Sequence, residues 1–221
     1  MRMHPVSTSA SQPRPDALML LGTHCPYCPT VLRGLSDLVK SGAVGKLEVV
    51  NIEQHPEVSH ALGVRSVPWV RIGPFELEGL RSEKELRSWA EAAGTEAGYA
   101  SYLDELLSTG KIDRATKLIR TNPEAINALL VLFSNSDTQL NTRIGISAII
   151  ESLAGSDLLQ GVVDRLGELC QYDDPRIRGD AAHYLGLTGN DKATAYLKQL
   201  VDDPDSDVRT VARESLDLLK T

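Results

Sequence analysis

Apolar positions follow two different rhythms along the 221-residue chain, and the change falls near residue 94. Before it, short apolar runs alternate with helical spacing. Ala17-Leu18-Met19-Leu20-Leu21 reads as a buried strand, and Thr30 to Lys40 has the spacing of an amphipathic helix. Lys46 to Ile52 reads as a second strand and Pro56 to Leu62 as a short helix closed by Gly63. Val64 to Ile72 reads as a third strand with proline at its entrance. A Gly73-Pro74 turn leads into the alternating strand Phe75 to Glu78. Ser82, with Glu85 three residues on, is a capping-box signature for a helix to Ala93, stopped by Gly94. The predicted order is β-α-β-α-β-β-α.

Beyond Gly94-Thr95-Glu96-Ala97-Gly98, read as a linker over 95–98, no strand pattern persists. Tyr99 to Ser108 and Ile112 to Arg120 form a first helix pair. Further helices are expected at Pro123 to Phe133, Leu158 to Cys170 and Ala193 to Val201. An internal repeat accompanies them. Arg143, Arg178 and Arg209 lie 35 and 31 residues apart, each preceded by an aspartate-containing turn and followed by an apolar helix face. The face residues are Ile146 and Ile150, Ala181 and Leu185, and Ala212 and Leu216. A period in this range marks helical solenoids, in which no single repeat buries its own apolar face. Ile150, Leu185 and Leu216 are therefore expected in one continuous core, in a right-handed stack of about three helix pairs behind one looser pair.

The chemistry concentrates at Cys25-Pro26-Tyr27-Cys28, between the first strand and the first helix. A helix N-terminus stabilises a thiolate on Cys25, the first and more exposed cysteine. Cys28, one turn on, can close a disulfide with it. A structural zinc site wants four ligands, and only Cys170 and five scattered histidines remain to complete one. A purely structural disulfide across so short a loop contributes little. Redox exchange is the best reading, with no metal and no cofactor beyond the Cys25–Cys28 disulfide. His24 is a candidate for tuning the thiolate, because its positive form would favour it; an exposed loop histidine is the alternative. Cys170 lies in an apolar helical pattern and reads as an inert core thiol.

With this element order, Cys25-Pro26-Tyr27-Cys28 and Ser66-Val67-Pro68 resemble the thioredoxin superfamily over about Asp16 to Gly94. This dithiol spacing beside a βαβ pattern is the thioredoxin-like redox motif. The dithiol sequence looks most like glutaredoxin, and Gly63 to Pro68 looks more like thioredoxin. The resemblance implies a cis bond before Pro68, packed beside the dithiol, with the Val67 backbone pairing an extended substrate segment. Tyr27 is a further candidate for substrate contact. Trp69 is either a wall of the substrate groove or a buried strand aromatic. Two departures bear on glutathione. Thr23 and His24 stand where glutaredoxins carry a lysine, and Glu78-Gly79-Leu80-Arg81-Ser82 has one glycine where they carry two. The buried aspartate of thioredoxin would fall near Met19, where there is no carboxylate.

The repeats resemble HEAT-like repeats of the short bacterial kind named after phycobilin lyases. That implies structural roles for Asp174, Arg178, Asp203 and Arg209, and a concave surface for a protein partner. The expected fold class is an α/β thioredoxin-like domain, 16–94, followed by an all-α HEAT-like superhelix, 99–221. Charge bears on the partner. Residues 99–221 carry 13 Lys/Arg against 19 Asp/Glu, within a net charge of -7 for the whole chain. Nucleic-acid domains normally show a basic footprint, so no nucleic acid is expected. Nothing approaches the roughly 20 apolar residues of a membrane span, so no membrane is expected either. The Ser- and Pro-rich residues 1–15 read as a flexible lead-in with no secretory apolar core. The cytoplasm is the expected compartment.

Two functions fit. One is a thiol-disulfide oxidoreductase whose HEAT-like half recruits a protein client, regenerated by a reductase or a low-molecular-weight thiol. The other is an interaction adaptor whose dithiol only senses redox state.

Overall fold

The computed structural model describes residues 14–220. All but the last two residues of the lead-in expected over 1–15 lie outside that range. By internal contacts the chain divides into two compact units, the first ending at Gly94 and the second beginning at Thr95.

The first unit holds strands β1 (Ala17–Leu21), β2 (Leu47–Asn51), β3 (Trp69–Ile72) and β4 (Phe75–Glu78), and helices α1 (Cys28–Lys40), α2 (Pro56–Leu62) and α3 (Glu83–Ala92). The sheet order is β2-β1-β3-β4. β1 pairs parallel with β2, Leu21 opposite Asn51, and antiparallel with β3, Leu20 opposite Trp69. Period-two alternation sorts the side chains onto two faces. Met19, Val70, Ile72, Phe75 and Leu77 are buried on one face, where the Phe75 ring meets Trp89 of α3 at 5.0 Å between centroids. Leu20 and Trp69 are buried on the other, against Val58, Leu62 and Val64 from α2 and the segment after it. The α1 face that repeats every three to four residues, Val31, Leu35 and Leu38, has no exposed surface.

The third strand is shorter than the pattern predicts. It begins at Trp69, because residues 66–68 bend and Pro68 has no N–H to give to a ladder. The expected linker over 95–98 is also corrected. Thr95 caps α4 (Glu96–Ser108), its hydroxyl accepting the Gly98 amide at 3.0 Å. That cap, with Glu96 in the first turn, outweighs the weak helix propensity of Gly98.

The second unit is all-helical among the described residues. After α4 come α5 (Ile112–Thr121), α6 (Ala125–Ser134), α7 (Leu140–Ser152), α8 (Asp157–Gln160), α9 (Val163–Leu169), α10 (Pro175–Leu187), α11 (Ala193–Leu200) and α12 (Ser206–Leu218). The single helix expected over 158–170 is two short ones. The break falls at Gly161 and β-branched Val162, and Val162 leaves helical geometry (φ -109, ψ 14). Ile150 and Leu185 have no exposed surface. Leu216, on the final described helix, is half-buried.

Charged residues tie the turns. The Arg178 guanidinium reaches both oxygens of buried Asp203, at 2.8 and 2.9 Å, and also the carbonyls of Tyr172 and Asp173. Arg209 reaches the carbonyls of Asp203 and Pro204. Arg143 reaches the Asn135 carbonyl at 2.9 Å. Repeat spacing puts Tyr172 where Asp203 stands, so Arg143 lacks the corresponding carboxylate. The junction between α7 and α10 is joined differently. The Tyr184 and Ser147 hydroxyls share a hydrogen bond of 2.7 Å, and Tyr184 stacks edge-on against Phe133 at 5.3 Å.

Candidate active site

β1 ends where the apolar run gives way to Gly22-Thr23-His24, and the chain turns there, Cys25 N–H donating to the Gly22 carbonyl at 3.3 Å. Helix α1 then begins at Cys28, with Pro29 in its first turn. Proline at a helix start gives up no hydrogen bond that the helix needs. Cys25 and Cys28 form a disulfide with their Cα atoms 5.5 Å apart. Cys25 is half-buried, and Cys28 is only 3% exposed. The Cys28 backbone N–H donates to Cys25 Sγ at 3.2 Å. No side chain caps α1 and no acidic residue sits in its first turn, so Cys25 Sγ occupies a place where a capping oxygen would otherwise sit. Negative charge developing on Cys25 is favoured there by the amide and by the helix dipole.

Two other segments converge on this end. The Val67-Pro68 peptide bond is cis. Pro68 is buried, Val67 is half-buried, and the Pro68 carbonyl accepts the Gly79 amide at 2.9 Å. That bond holds the turn after β4, where Gly79 has φ 79, against the proline segment. The third contributor is the turn after β2. A methyl group at Gly22 would lie 3.2 Å from Glu53 Oε1 and 3.4 Å from Val67 Cγ2, so glycine allows all three segments to approach.

The residues singled out in the sequence separate clearly. Tyr27 is 55% exposed beside the dithiol, and His24 is exposed on the turn before it. Trp69 is corrected as a groove wall. It has no exposed surface, packs with Leu20 and Val64, and its Nε1 finds no partner among the described residues. Its position opposite Leu20, on the face covered by α2, points it into the core. Cys170 is buried, its Sγ donating to the Leu166 carbonyl at 3.5 Å, and burial pushes its thiol up to about 12.

One participant escaped the sequence reading. Glu53 accepts the Thr23 amide at 2.8 Å, and hydrogen bonds from Thr23 hold its carboxyl below the usual range. The signal lay in the parallel pairing of β1 and β2, whose ends lie side by side at Leu21 and Asn51.

The start of α3 is arranged in the opposite way from that of α1. The Glu85 carboxylate accepts both the Ser82 amide (2.8 Å) and the Ser82 hydroxyl (2.7 Å), and the Ser82 hydroxyl oxygen accepts the Glu85 amide. The hydrogen bonds from Ser82 hold Glu85 below the usual carboxylate range.

A thioredoxin-domain family model matches residues 17–91, and a HEAT-repeat family model matches residues 145–217. The chain therefore carries a thioredoxin-like domain followed by HEAT repeats. A search of curated proteins found no match. Among the described residues, no helix is long and apolar enough to cross a membrane.

Proposed function

We propose that the protein is a thiol-disulfide oxidoreductase acting on a protein client that the HEAT repeats recruit or orient. The observation carrying this reading is the half-buried Cys25 sulfur, hydrogen-bonded to the Cys28 amide at an uncapped helix start, with Cys28 buried behind it. In the reducing direction the Cys25 thiolate attacks a client disulfide. The first client sulfur leaves as a thiolate and takes a proton from solvent. Cys28, deprotonated in turn, attacks Cys25 in the mixed disulfide and releases the second client thiolate. Two electrons pass to the client, and the chain is left as the Cys25–Cys28 disulfide. The backbone of Val67 offers extended hydrogen bonds to the client segment, and Tyr27 flanks it.

A reductase of protein type suits this site better than glutathione. The α3 start, which in glutaredoxins helps to hold a glutathione carboxylate, is filled by Glu85. Where those proteins carry a lysine before the dithiol, this chain brings the Glu53 carboxylate to Thr23. The acidic repeat unit favours a protein partner over nucleic acid. The cytoplasm suits a dithiol regenerated by reduction.

The test is trapping. Cys28→Ser should freeze clients on Cys25 as mixed disulfides that reductant releases, and the unaltered chain should turn over a generic disulfide with a reductase. A disulfide that opens and closes without turnover would favour the redox-sensing adaptor instead.

A further inference from the structure

Past Leu21 and Asn51, the last register pair of the parallel strands, both chains leave the sheet side by side. The Ile52 amide still donates to the Leu21 carbonyl, at 2.9 Å. One chain then makes the turn from Gly22 to Cys25. The other turns back at Asn51, whose carbonyl accepts the amides of Gln54 and His55. The two turns are cross-linked by side chains. Glu53 Oε1 accepts the Thr23 amide at 2.8 Å. Asn51 Nδ2 donates to Thr23 Oγ1 at 3.1 Å, while Asn51 Oδ1 accepts the Glu53 amide at 2.9 Å. The three residues form a closed ring of hydrogen bonds that ends two residues before Cys25.

These contacts lie at the surface, where such bonds contribute little to global stability. Their geometric effect is specific. A charged acceptor on a backbone amide is the stronger kind of hydrogen bond, and this one fixes the start of the turn that delivers Cys25. The carboxylate also sits across Gly22 from the Val67 side chain. One anchor therefore relates the dithiol turn to the segment read as the substrate strand. His24 interacts with Glu53 from the dithiol turn, and His55 on the other turn contacts Glu57 at 3.1 Å.

We infer that Glu53 is a positioning residue for the dithiol, holding the Gly22–Cys25 turn through Thr23 so that Cys25 Sγ stays on the Cys28 amide. The inference rests on the oxidoreductase reading for its purpose, but its test does not depend on turnover.

The test uses opposite signs. Removing a negative charge near Cys25 by itself favours the thiolate, whereas releasing the turn removes its amide donor and disfavours it. Glu53→Gln deletes the charge and keeps an acceptor for Thr23. Glu53→Ala deletes both. Cys25 alkylation by iodoacetamide is followed against pH in the reduced full chain, with melting temperature and generic-disulfide turnover alongside. For Glu53→Ala, alkylation near neutral pH should slow about fivefold and the profile should move to higher pH, with the melting temperature nearly unchanged; for Glu53→Gln the profile should stay in place or move to lower pH. Asn51→Ala, which removes the brace from the other side, should shift the profile in the direction of Glu53→Ala. Both Glu53 variants moving to lower pH would reduce Glu53 to a through-space charge and overturn the inference. An unchanged profile, or slowing that tracks lost thermal stability, would overturn it too. Absent turnover in the unaltered chain would count against the oxidoreductase reading alone, because the alkylation profiles still decide the role of Glu53.

Discussion

Two kinds of helix start occur in this molecule. At α3 and α12 the chain closes the first-turn amides with its own oxygens: Glu85 and Ser82 at α3, Asp205 at α12. Just before α12, Asp203 is in turn clamped by Arg178. At α1 no side chain does this, and the sulfur of Cys25 takes the Cys28 amide instead. A cap is worth about 1 kcal/mol. The dithiol end forgoes that stabilisation, and the donor it leaves open is available to a thiolate. Other starts, those of α2, α5 and α7 among them, also lack a side-chain cap, but at α1 the open donor meets a cysteine sulfur.

The largest effect should come from the open end. Cys25→Ser removes the atom that uses it, and disulfide turnover should fall at least about a thousandfold, with folding intact by circular dichroism. Activity retained at a tenth of the original would mean that α1 is not the reactive end.

Next is the clamped loop before α12. Asp203→Ala leaves the Arg178 guanidinium largely buried without its carboxylate, at a cost of about 3 kcal/mol in urea unfolding. Arg143→Ala, which loses a carbonyl contact at the surface, should cost less than about 1 kcal/mol. The comparison has a pH signature. The Arg178 hydrogen bonds hold the Asp203 carboxyl below its usual range. Its contribution is therefore complete above the unfolded value of about 4 and is lost as pH falls through the lower folded value. Acid titration of stability should be shallower in Asp203→Ala, and an unchanged slope would show that the clamp carries no such charge.

A smaller effect should follow from closing the open end. Tyr27→Asp places a carboxylate at the start of α1, where it competes for the amides and repels a thiolate. The Cys25 alkylation profile should move up by about one pH unit, a tenfold loss of rate near neutral pH. The smallest change opens the closed end. Ser82→Ala should destabilise the chain by about 1 kcal/mol. It should also lower the KM for glutathione, because the Glu85 amide loses its Ser82 acceptor and becomes available to a carboxylate. No change in KM would show that α3 does not govern the choice of reductant.

Much of this was legible in the sequence. The apolar run Ala17 to Leu21 and the alternation of Phe75 to Glu78 are plain, and Ser82 with Glu85 announces a capping box that the structure contains. Arg178 and Asp203 stand out because the repeat makes them visible. The rest needed three-dimensional register. Glu53 belongs to the site only because β1 and β2 run parallel and end together. Trp69 could be read as a groove wall or as a buried strand aromatic, and strand alternation beside Leu20 turns it inward. The break at Gly161 and the early start of α4 at Glu96 are contests between one glycine and its neighbours. Local propensities are too close to decide such contests without packing.

Cys170 brings a benefit of a different kind: fidelity of pairing. A chain that cycles through mixed disulfides is exposed to scrambling whenever a third sulfur can attack. Burial pushes the Cys170 thiol up to about 12, which keeps it protonated near neutral pH. Its side chain is closed off from solvent as well. Under the proposed oxidoreductase function, a mixed disulfide on Cys25 would therefore meet a single competent intramolecular attacker, Cys28, and repeated exchange would not collect wrongly joined isomers.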